Sequence, residues 1–536
     1  MRVHDKTCPS ATNGAARHMA PARGSVLYVV LFLGLLALTA FFCFYDLGAG
    51  VVWDSDESRH AVNAYEMLRS GNLIANSYGG DLDYWNLKLP LSFWLIMGFY
   101  RLLGFTTFAF RCYSALAYVL TMLVLGLFVR HRFGRTAALC SMALGLTCSH
   151  LFGFHMVRSG DADSVFVLLT TCSLVCMLLS DEGTRWTCLS GLSFSLAFLE
   201  KSWHAGIIPA VVLVWLLTTR RWRALRPRDV LGYLGCCLAP IAIWAIARYS
   251  FDGTTFFESM VSYDLLSRST TALEGNSGNF LTYAAIMLRD PGFLASAALA
   301  SLLLVGTLIR RIRAHVRHAA PTSTGGEPDA LTVWGLFLWF AVPFLLFSIA
   351  STKLVWYVYP TVIALFALGG IEAARIMHAI RERMGARRII PALMLTAVCA
   401  VAGLGLYQTY RIVVYDELPA SWGYSLEDRS YQEALQGVLE DSFESGSLAQ
   451  GMDLYYEDAS SSSLERGQTT KGLAQGTLAI AELYGDVTAE QSGISGFLGD
   501  DEAMIILPTD YYDEVSDRLT DATEVVEGAG YVILTH

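Results

Sequence analysis

Charge is what this chain has little of. Of its 536 residues only 16% are charged, whereas 54% are hydrophobic; a soluble chain usually carries about 25% charged residues. Cysteine is missing from the last part. All 11 cysteines lie before it, Cys8 and then Cys43 through Cys399, so no disulfide staples that region. Most of the others fall in apolar runs, where cysteine acts as a small hydrophobe. None shows zinc-ligand spacing with histidine partners, and Cys172 and Cys176, one helical turn apart, read as helix filler. No internal repeat is evident. Short alternating strands are absent from the apolar runs, which excludes a closed transmembrane β-barrel.

What is present is a series of long apolar runs from Ser25 to Tyr410. The sequence therefore predicts a polytopic α-helical membrane protein with a tail. The charge divides at the same place. From Val413 to His536 there are 25 Asp/Glu and 4 Lys/Arg, a net of −21; the remainder holds 23 and 34, a net of +11, and the two sum to the formal −10. Expected domains are a cytoplasmic segment 1–24, a transmembrane domain 25–411 with a long first external loop 46–88, and an acidic extracytoplasmic domain 412–536. In the tail, Ala503–Leu507 and Gly530–Leu534 read as strands with a helix from Asp510 to Leu519, a small α/β unit.

Arg2, Lys6, Arg17 and Arg23 precede the first run, which is too long for a typical signal-peptide core and reads as an uncleaved signal-anchor. Basic clusters recur at 130–135, 220–228, 310–318 and 381–388. The positive-inside rule places these loops and the N-terminus in the cytoplasm, and it accounts for the cations without nucleic acid. Candidate spans are 25–45, 109–129, 136–154, 164–180, 187–200, 205–218, 229–249, 291–309, 331–350, 355–371 and 389–410. With the shorter segment 89–104 unassigned, about 11–13 spans are expected, and an odd count puts the C-terminal domain outside. Pro321–Asp329 reads as a linker and Ser460–Ser463 as a loop.

The outer edge gathers the chemistry. Trp53-Asp54-Ser55-Asp56-Glu57-Ser58-Arg59 puts three carboxylates and a guanidinium just past the first span. Ionisable groups beside hydrocarbon mark either a water-facing loop or a functional site. Glu57 to Arg69 has the pattern of an amphipathic helix, and acids at its start suit the helix dipole. A capped interfacial helix and a catalytic base are both open readings of Asp56 and Glu57. A second Asp-x-Asp, Asp161 and Asp163, lies next to Arg158. With Asp56 these acids are candidate hard-oxygen ligands for a divalent cation, Mg or Mn; alternatively they hold an acceptor hydroxyl and the nearby arginines. Arg59, Lys88, Arg158, Lys201, Arg268 and Lys353 converge on the same side, which suits a phosphate-bearing lipid. Snorkelling toward headgroups is the plainer reading of each cation alone, least so for Lys353, which is followed by Tyr357 and Tyr359.

The pattern WDSDESRHAVNAYEMLRSGN, then LDYWNLKLPLSFWL, FAFRCYSAL, RSGDADS, FLEKSWHAGIIP and STKLVWYVYPTVIAL, resembles the clan C membrane glycosyltransferases of the protein O-mannosyltransferase type, most of all their lipid A aminoarabinose transferase branch. It covers roughly residues 25–370, and the order of the motifs is its strongest part. The resemblance implies many helices, a long first external loop, and inverting transfer of a sugar from a polyprenyl-phosphate carrier at the outer face, without a nucleotide sugar. Carried over, Asp56 falls at the family's reaction centre, followed by Glu57 and Arg59. Asp163, with Asp161, falls at the second acidic position. Lys88 matches the lysine before the family's proline, here with Leu89 between, and Lys201 and Lys353 match the later lysines. Arg268 matches an arginine of the long external loop. Catalytic roles are thus expected for Asp56, Glu57 and Asp163, and substrate binding for Arg59, Lys88, Arg158, Asp161, Lys201, Arg268, Lys353 and Tyr357. The acceptor is a lipid, a protein or a cell-wall polymer. Rival functions are an oligosaccharide or polymer transferase using a lipid-diphosphate glycan, a cation-coupled transporter, and a sensor whose acidic tail binds an external ligand.

Overall fold

The computed structural model describes residues 20–49, 52–53, 56–153, 155–267, 278–316, 330–382, 389–415, 437, 439–443, 445–446, 451–456, 475–490, 492–528 and 530–536. Arg268, Asp54, the linker 321–329 and the loop 460–463 lie outside the described residues.

The first apolar run forms α1 (Ala20–Phe44); its 25 residues extend about 37 Å, enough to cross hydrocarbon. A buried helix α2 (Asp56–Ser70) and a strand pair, β1 (Ser77–Tyr78) and β2 (Asp81–Leu82), follow. Gly79 and Gly80 join the strands with φ of 64° and 81°, the left-handed geometry a tight hairpin demands. Helix α3 (Leu91–Leu103) has only 13 residues, about 20 Å, short of a bilayer. Helix α4 (Thr107–Phe133) is capped by the Thr106 hydroxyl, which accepts from the Ala109 amide at 3.2 Å, and ends with Arg130 and Arg132 in the turn before Gly134, as the dipole favours.

The expected span 136–154 is broken into α5 (Arg135–Gly145) and α6 (His150–Gly153). Then come α7 (Asp163–Leu178), α8 (Thr184–Lys201), α9 (Ile207–Thr219) and α10 (Pro227–Asp252), the last started by proline, whose missing N–H costs nothing there. Short helices α11 (Thr255–Ser259) and α12 (Thr282–Met287) lead to α13 (Pro291–Val316), α14 (Ala330–Ile349), α15 (Tyr359–Glu382) and α16 (Ile389–Tyr415). Eight stretches among the described residues are long and apolar enough to cross a membrane, with Thr184–Thr219 counted as one. Every expected span contains helix, but 164–180 is short and 136–154 is interrupted, so length and composition give fewer crossings than the runs suggested. The chain is a multi-pass membrane protein.

The core centres on α15, buried along one continuous stretch from Tyr359 to Ile371. Gly370 lets it touch α5, since a Cβ there would collide with Ser141. Helix α8 packs between α7 and α10.

The C-terminal part forms β3 (Asp453–Tyr455), α17 (Gln475–Gly485), β4 (Ala489–Glu490), α18 (Gly493–Phe497), β5 (Ala503–Pro508), α19 (Thr509–Val515), β6 (Thr523–Gly528) and β7 (Tyr531–Thr535). Both expected strands and the helix between them are present. The sheet order is β4-β3-β5-β7-β6; β3 is parallel to β4 and β5, and β7 is antiparallel to β5 and β6. Helix α17 lies on α2, and Leu478, Leu483 and Tyr456 join Val62, Tyr65 and Phe93 in one apolar cluster. Helix α2 is therefore buried along most of its length: Glu57, His60, Asn63 and Glu66 face internal partners, and α17 of the C-terminal part covers it.

Candidate functional site

Asp56 is the first residue of α2 and keeps 24% of its side chain exposed, 3.6 Å from the Lys88 ammonium. Its neighbour Glu57 is fully buried and fully engaged. Its Oε1 accepts from Arg111 Nε at 2.7 Å and from the Gly160 amide at 2.7 Å. Its Oε2 accepts from Arg111 Nη2 at 3.1 Å and from the Trp53 amide at 2.9 Å. Arg111, on α4, also donates to the carbonyls of Leu47 and Ala49. Glu57 is thus the bolt between α2, α4 and the 155–162 loop, with no oxygen left for substrate. Expected as catalytic, it has both oxygens taken by Arg111 and by the Gly160 and Trp53 amides.

The bolted loop brings up the second acidic motif. Ser114 Oγ donates to the Asp161 carbonyl and Tyr113 Oη to the Gly160 carbonyl. Gly160 is needed because a Cβ would run into Phe110. Asp161 faces His155 Nδ1 at 3.2 Å. His155 lies flat on Trp356, ring centroids 3.7 Å apart, and holds a left-handed φ of 53°, a conformation costing a side-chain residue on the order of 1 kcal/mol. The ligating atoms of Asp56, His155 and Asp161 all lie within 4.8 Å of one another. The Asp161 Oδ1 is buried without a hydrogen-bond partner. Two carboxylates and an imidazole make a donor set for a small divalent cation. Asp163, expected as a ligand, instead pairs with Lys201 at 2.5 Å, where one helix start meets another helix end.

Burial raises the Asp56 carboxyl, but Lys88, then His155, His60 and Lys201, outweigh it and hold it well below its ordinary value. Asp161 is likewise lowered: burial opposes, and the charge and hydrogen bond of His155 prevail. His155 is raised by the same partner against burial. His60 is lowered by burial and by Lys88. Its Nδ1, 3.2 Å from the Gly160 carbonyl, must donate, which leaves Nε2 as a buried lone pair without a partner.

The remaining expected residues divide. Tyr357 covers Lys201, whose ammonium is 5.9 Å from its ring, and touches His204. Arg59 is clamped by Asp83, with bonds of 2.8 and 3.1 Å, and lies 4.1 Å from the centroid of Tyr78 and 4.4 Å from that of Trp85. The Arg59 interaction keeps Asp83 low against burial. Arg158 does not join the acids. It donates to the carbonyls of Phe42, Tyr45 and Asp46 at the end of α1. Lys353 donates to the carbonyls of Phe347, Ser348 and Ala350, the orphan acceptors at the end of α14, and burial lowers its pKa. Snorkelling is not needed to explain it, nor is phosphate. Asp161 and Asp163 orient neither arginine.

Sequence reasoning missed His155, His60, Asp83, Arg111 and Glu200. Glu200 is buried beside Lys201, accepts from Ser92 Oγ at 2.6 Å and has its other oxygen without a partner. The signal for His60 and His155 was thin: one polar ring in each acidic motif or just before it.

Comparison with known proteins bears on the sequence and the fold. Residues 88–246 match the family described as dolichyl-phosphate-mannose-protein mannosyltransferase. The undecaprenyl phosphate-alpha-4-amino-4-deoxy-L-arabinose arabinosyl transferase of Pseudomonas aeruginosa strain PAO1 is 28% identical over 403 residues, 72% of this chain and 67% of that protein. Its namesake from Edwardsiella ictaluri is 29% identical over 339 residues, 61% of this chain and 57% of that one. The chain thus spans about three-fifths to two-thirds of the length of these relatives. The crystal structure of ArnT from Cupriavidus metallidurans bound to undecaprenyl phosphate shares the fold, with a TM-score of 0.65 at 18% identity over 95% of this chain and 98% of that one. The apo oligosaccharyltransferase of Archaeoglobus fulgidus reaches a TM-score of 0.50 at 11% identity, over 93% and 70%. In motif order, fold and these likenesses, the chain resembles the protein O-mannosyltransferase and aminoarabinose transferase type.

Proposed function

We propose that the protein is an inverting glycosyltransferase that moves a sugar from a polyprenyl-phosphate carrier to an acceptor hydroxyl or phosphate at the outer face of the cytoplasmic membrane. In this reading the N-terminus is cytoplasmic and the C-terminal domain extracytoplasmic. The observation that carries it is Asp56: unlike the saturated Glu57 beside it, it keeps an open side and is poised on Lys88. The relatives' names, which specify an undecaprenyl-phosphate pentose, support a lipid-monophosphate donor.

Asp56 is a weak base in the resting site, because Lys88 favours its ionised form. Its first task is to orient the acceptor hydroxyl. As the acceptor oxygen bonds to the anomeric carbon, the hydroxyl proton becomes acidic and passes to the carboxylate. The bond from the anomeric carbon to the phosphate oxygen breaks with its electron pair, and a phosphate monoester leaves. Protonating Asp56 weakens its hold on Lys88, whose charge is then available to the leaving phosphate. Asp163 holds Lys201 nearby, and Arg59, fixed by Asp83, presents its guanidinium between two aromatic rings. Glu57 transmits the position of α4 to Asp56.

Asp56, His155 and Asp161 would hold a divalent cation such as Mg or Mn. When bound, it would supply positive charge to a substrate oxygen.

Asp56→Ala should abolish sugar transfer from polyprenyl-phosphate donors in isolated membranes while protein levels stay normal. Near-normal product from that variant would end the assignment. Comparing monophosphate with diphosphate carriers in the same assay separates this reaction from oligosaccharide transfer.

A further inference from the structure

The membrane edge opposite the site carries a different kind of charge. Helices α7 and α8 bring Asp163 and Lys201 together at one end. At their other end, with the end of α9 and the start of α10, they enclose a cleft of about 210 Å³. Its walls are chiefly apolar, among them Met177, Val212, Trp215, Leu216 and Tyr233. Water gains few hydrogen bonds in such a space.

The turn from Arg220 to Arg228 borders this cleft. It holds five arginines against the single acid at its end, Asp229. Arg228 lies 3.8 Å from Asp229 and Arg221 4.0 Å from Asp181. Arg220, Arg223 and Arg226 are exposed and have no ion pair among the described residues. The nearby acids Asp181 and Glu182 are taken by Arg132 at 2.6 and 3.3 Å. Trp222 and Leu225, 49% and 43% exposed, project from the same turn, and Leu225 also lines the cleft. Exposed Trp and Leu beside arginine have the composition of a bilayer-interface anchor.

Snorkelling explains arginines beside an apolar run, but not an apolar cleft opening under them. A lipid satisfies both: a chain fills the cleft and a headgroup meets the cations. A zwitterionic headgroup brings its own ammonium to the arginines; an anionic one does not. We propose that this edge binds one anionic phospholipid, with part of an acyl chain between α7, α9 and α10 and its phosphate on Arg223 and Arg226.

The test uses the full purified chain in detergent micelles, titrated with phosphatidylglycerol or phosphatidylcholine of identical chains and read by native mass spectrometry. One phosphatidylglycerol should be retained in preference to phosphatidylcholine. Arg223→Gln with Arg226→Gln should cut that preference on the order of 30-fold, from about 5-fold per arginine near a membrane surface. Val212→Trp, which fills the cleft and keeps the charges, should reduce retention of both lipids. Equal retention of the two lipids by the unaltered protein overturns the proposal, as does a double variant that keeps the preference. Should a variant fail to fold, thermal unfolding of the unaltered protein decides: a larger upward shift with phosphatidylglycerol supports the site, and equal shifts overturn it.

Discussion

Asp56 and Glu57 are adjacent in sequence and belong to different regions of the molecule. Glu57 is inside a closed knot, where both oxygens are saturated by Arg111, the Gly160 amide and the Trp53 amide. Asp56 stands in an open cluster with Lys88, His155 and Asp161. A buried acid with every lone pair matched holds structure together. An acid with an open side is available for chemistry. The contrast shows why two carboxylates in one motif need not share a role.

The contrast breaks most sharply in paired variants. Loss of transfer in Asp56→Ala, of order 10²–10⁴-fold if it acts in proton transfer, should come with normal folding. Glu57→Ala should do the reverse first. It leaves the Arg111 guanidinium buried without its anion, a cost of about 3–5 kcal/mol, seen as low yield and early thermal unfolding in detergent. A Glu57→Ala protein that unfolds like the unaltered one but transfers nothing would exchange the two roles.

The open cluster can be probed through its imidazole. Chelation should depress transfer and Mn should restore it. His155→Ala should raise the Mn concentration required by on the order of 10–100-fold. Full transfer in chelator would remove the cation from the scheme and leave Asp56 in place.

The far end of α2 offers a pH test. Glu66, held through Oε1 by the Gly79 and Gly80 amides, faces Glu482 of α17, held by the Ala489 amide. Burial foremost raises both carboxyls above the ordinary 4.5, and Glu66 raises Glu482 further. The folded protein therefore keeps protons that the unfolded chain releases. This stabilisation is complete below the ordinary carboxyl pKa and is lost as pH rises through the folded-state values. Thermal stability should fall as pH rises above the ordinary carboxyl range, and Glu482→Gln should flatten that slope. An unchanged slope in the variant would mean that other groups set it.

The smallest effect is expected at Lys353. As a cap on the α14 carbonyls, its replacement by Met should cost about 1 kcal/mol of stability and change transfer only a few-fold. A hundredfold loss of transfer with intact folding would instead place Lys353 on the donor phosphate.

Much of the architecture was legible in one dimension. Apolar runs that exceed a bilayer's thickness become helices whatever their neighbours, and the charge division at Val413 marked the acidic tail. The strands at 503–508 and 531–535 could be read from their β-branched and aliphatic content. The interruption of 136–154 could not, because the break at Leu146-Thr147-Cys148-Ser149 carries neither proline nor charge and sits inside a mostly apolar run. Nor could the burial of α2, whose polar residues read as a solvated face until Arg111, Gly160 and the C-terminal domain supplied partners.

The sequence by itself determined which residue types lie at the membrane edge, because hydrocarbon excludes charge from the runs and concentrates it at their ends. Tertiary structure alone decided which of those charges cancel one another. Arg59 went to Asp83, Arg158 to the end of α1, Lys353 to α14 and Asp163 to Lys201. Pairing depends on distances of about 3–4 Å between groups far apart in the chain, and no one-dimensional pattern encodes those distances.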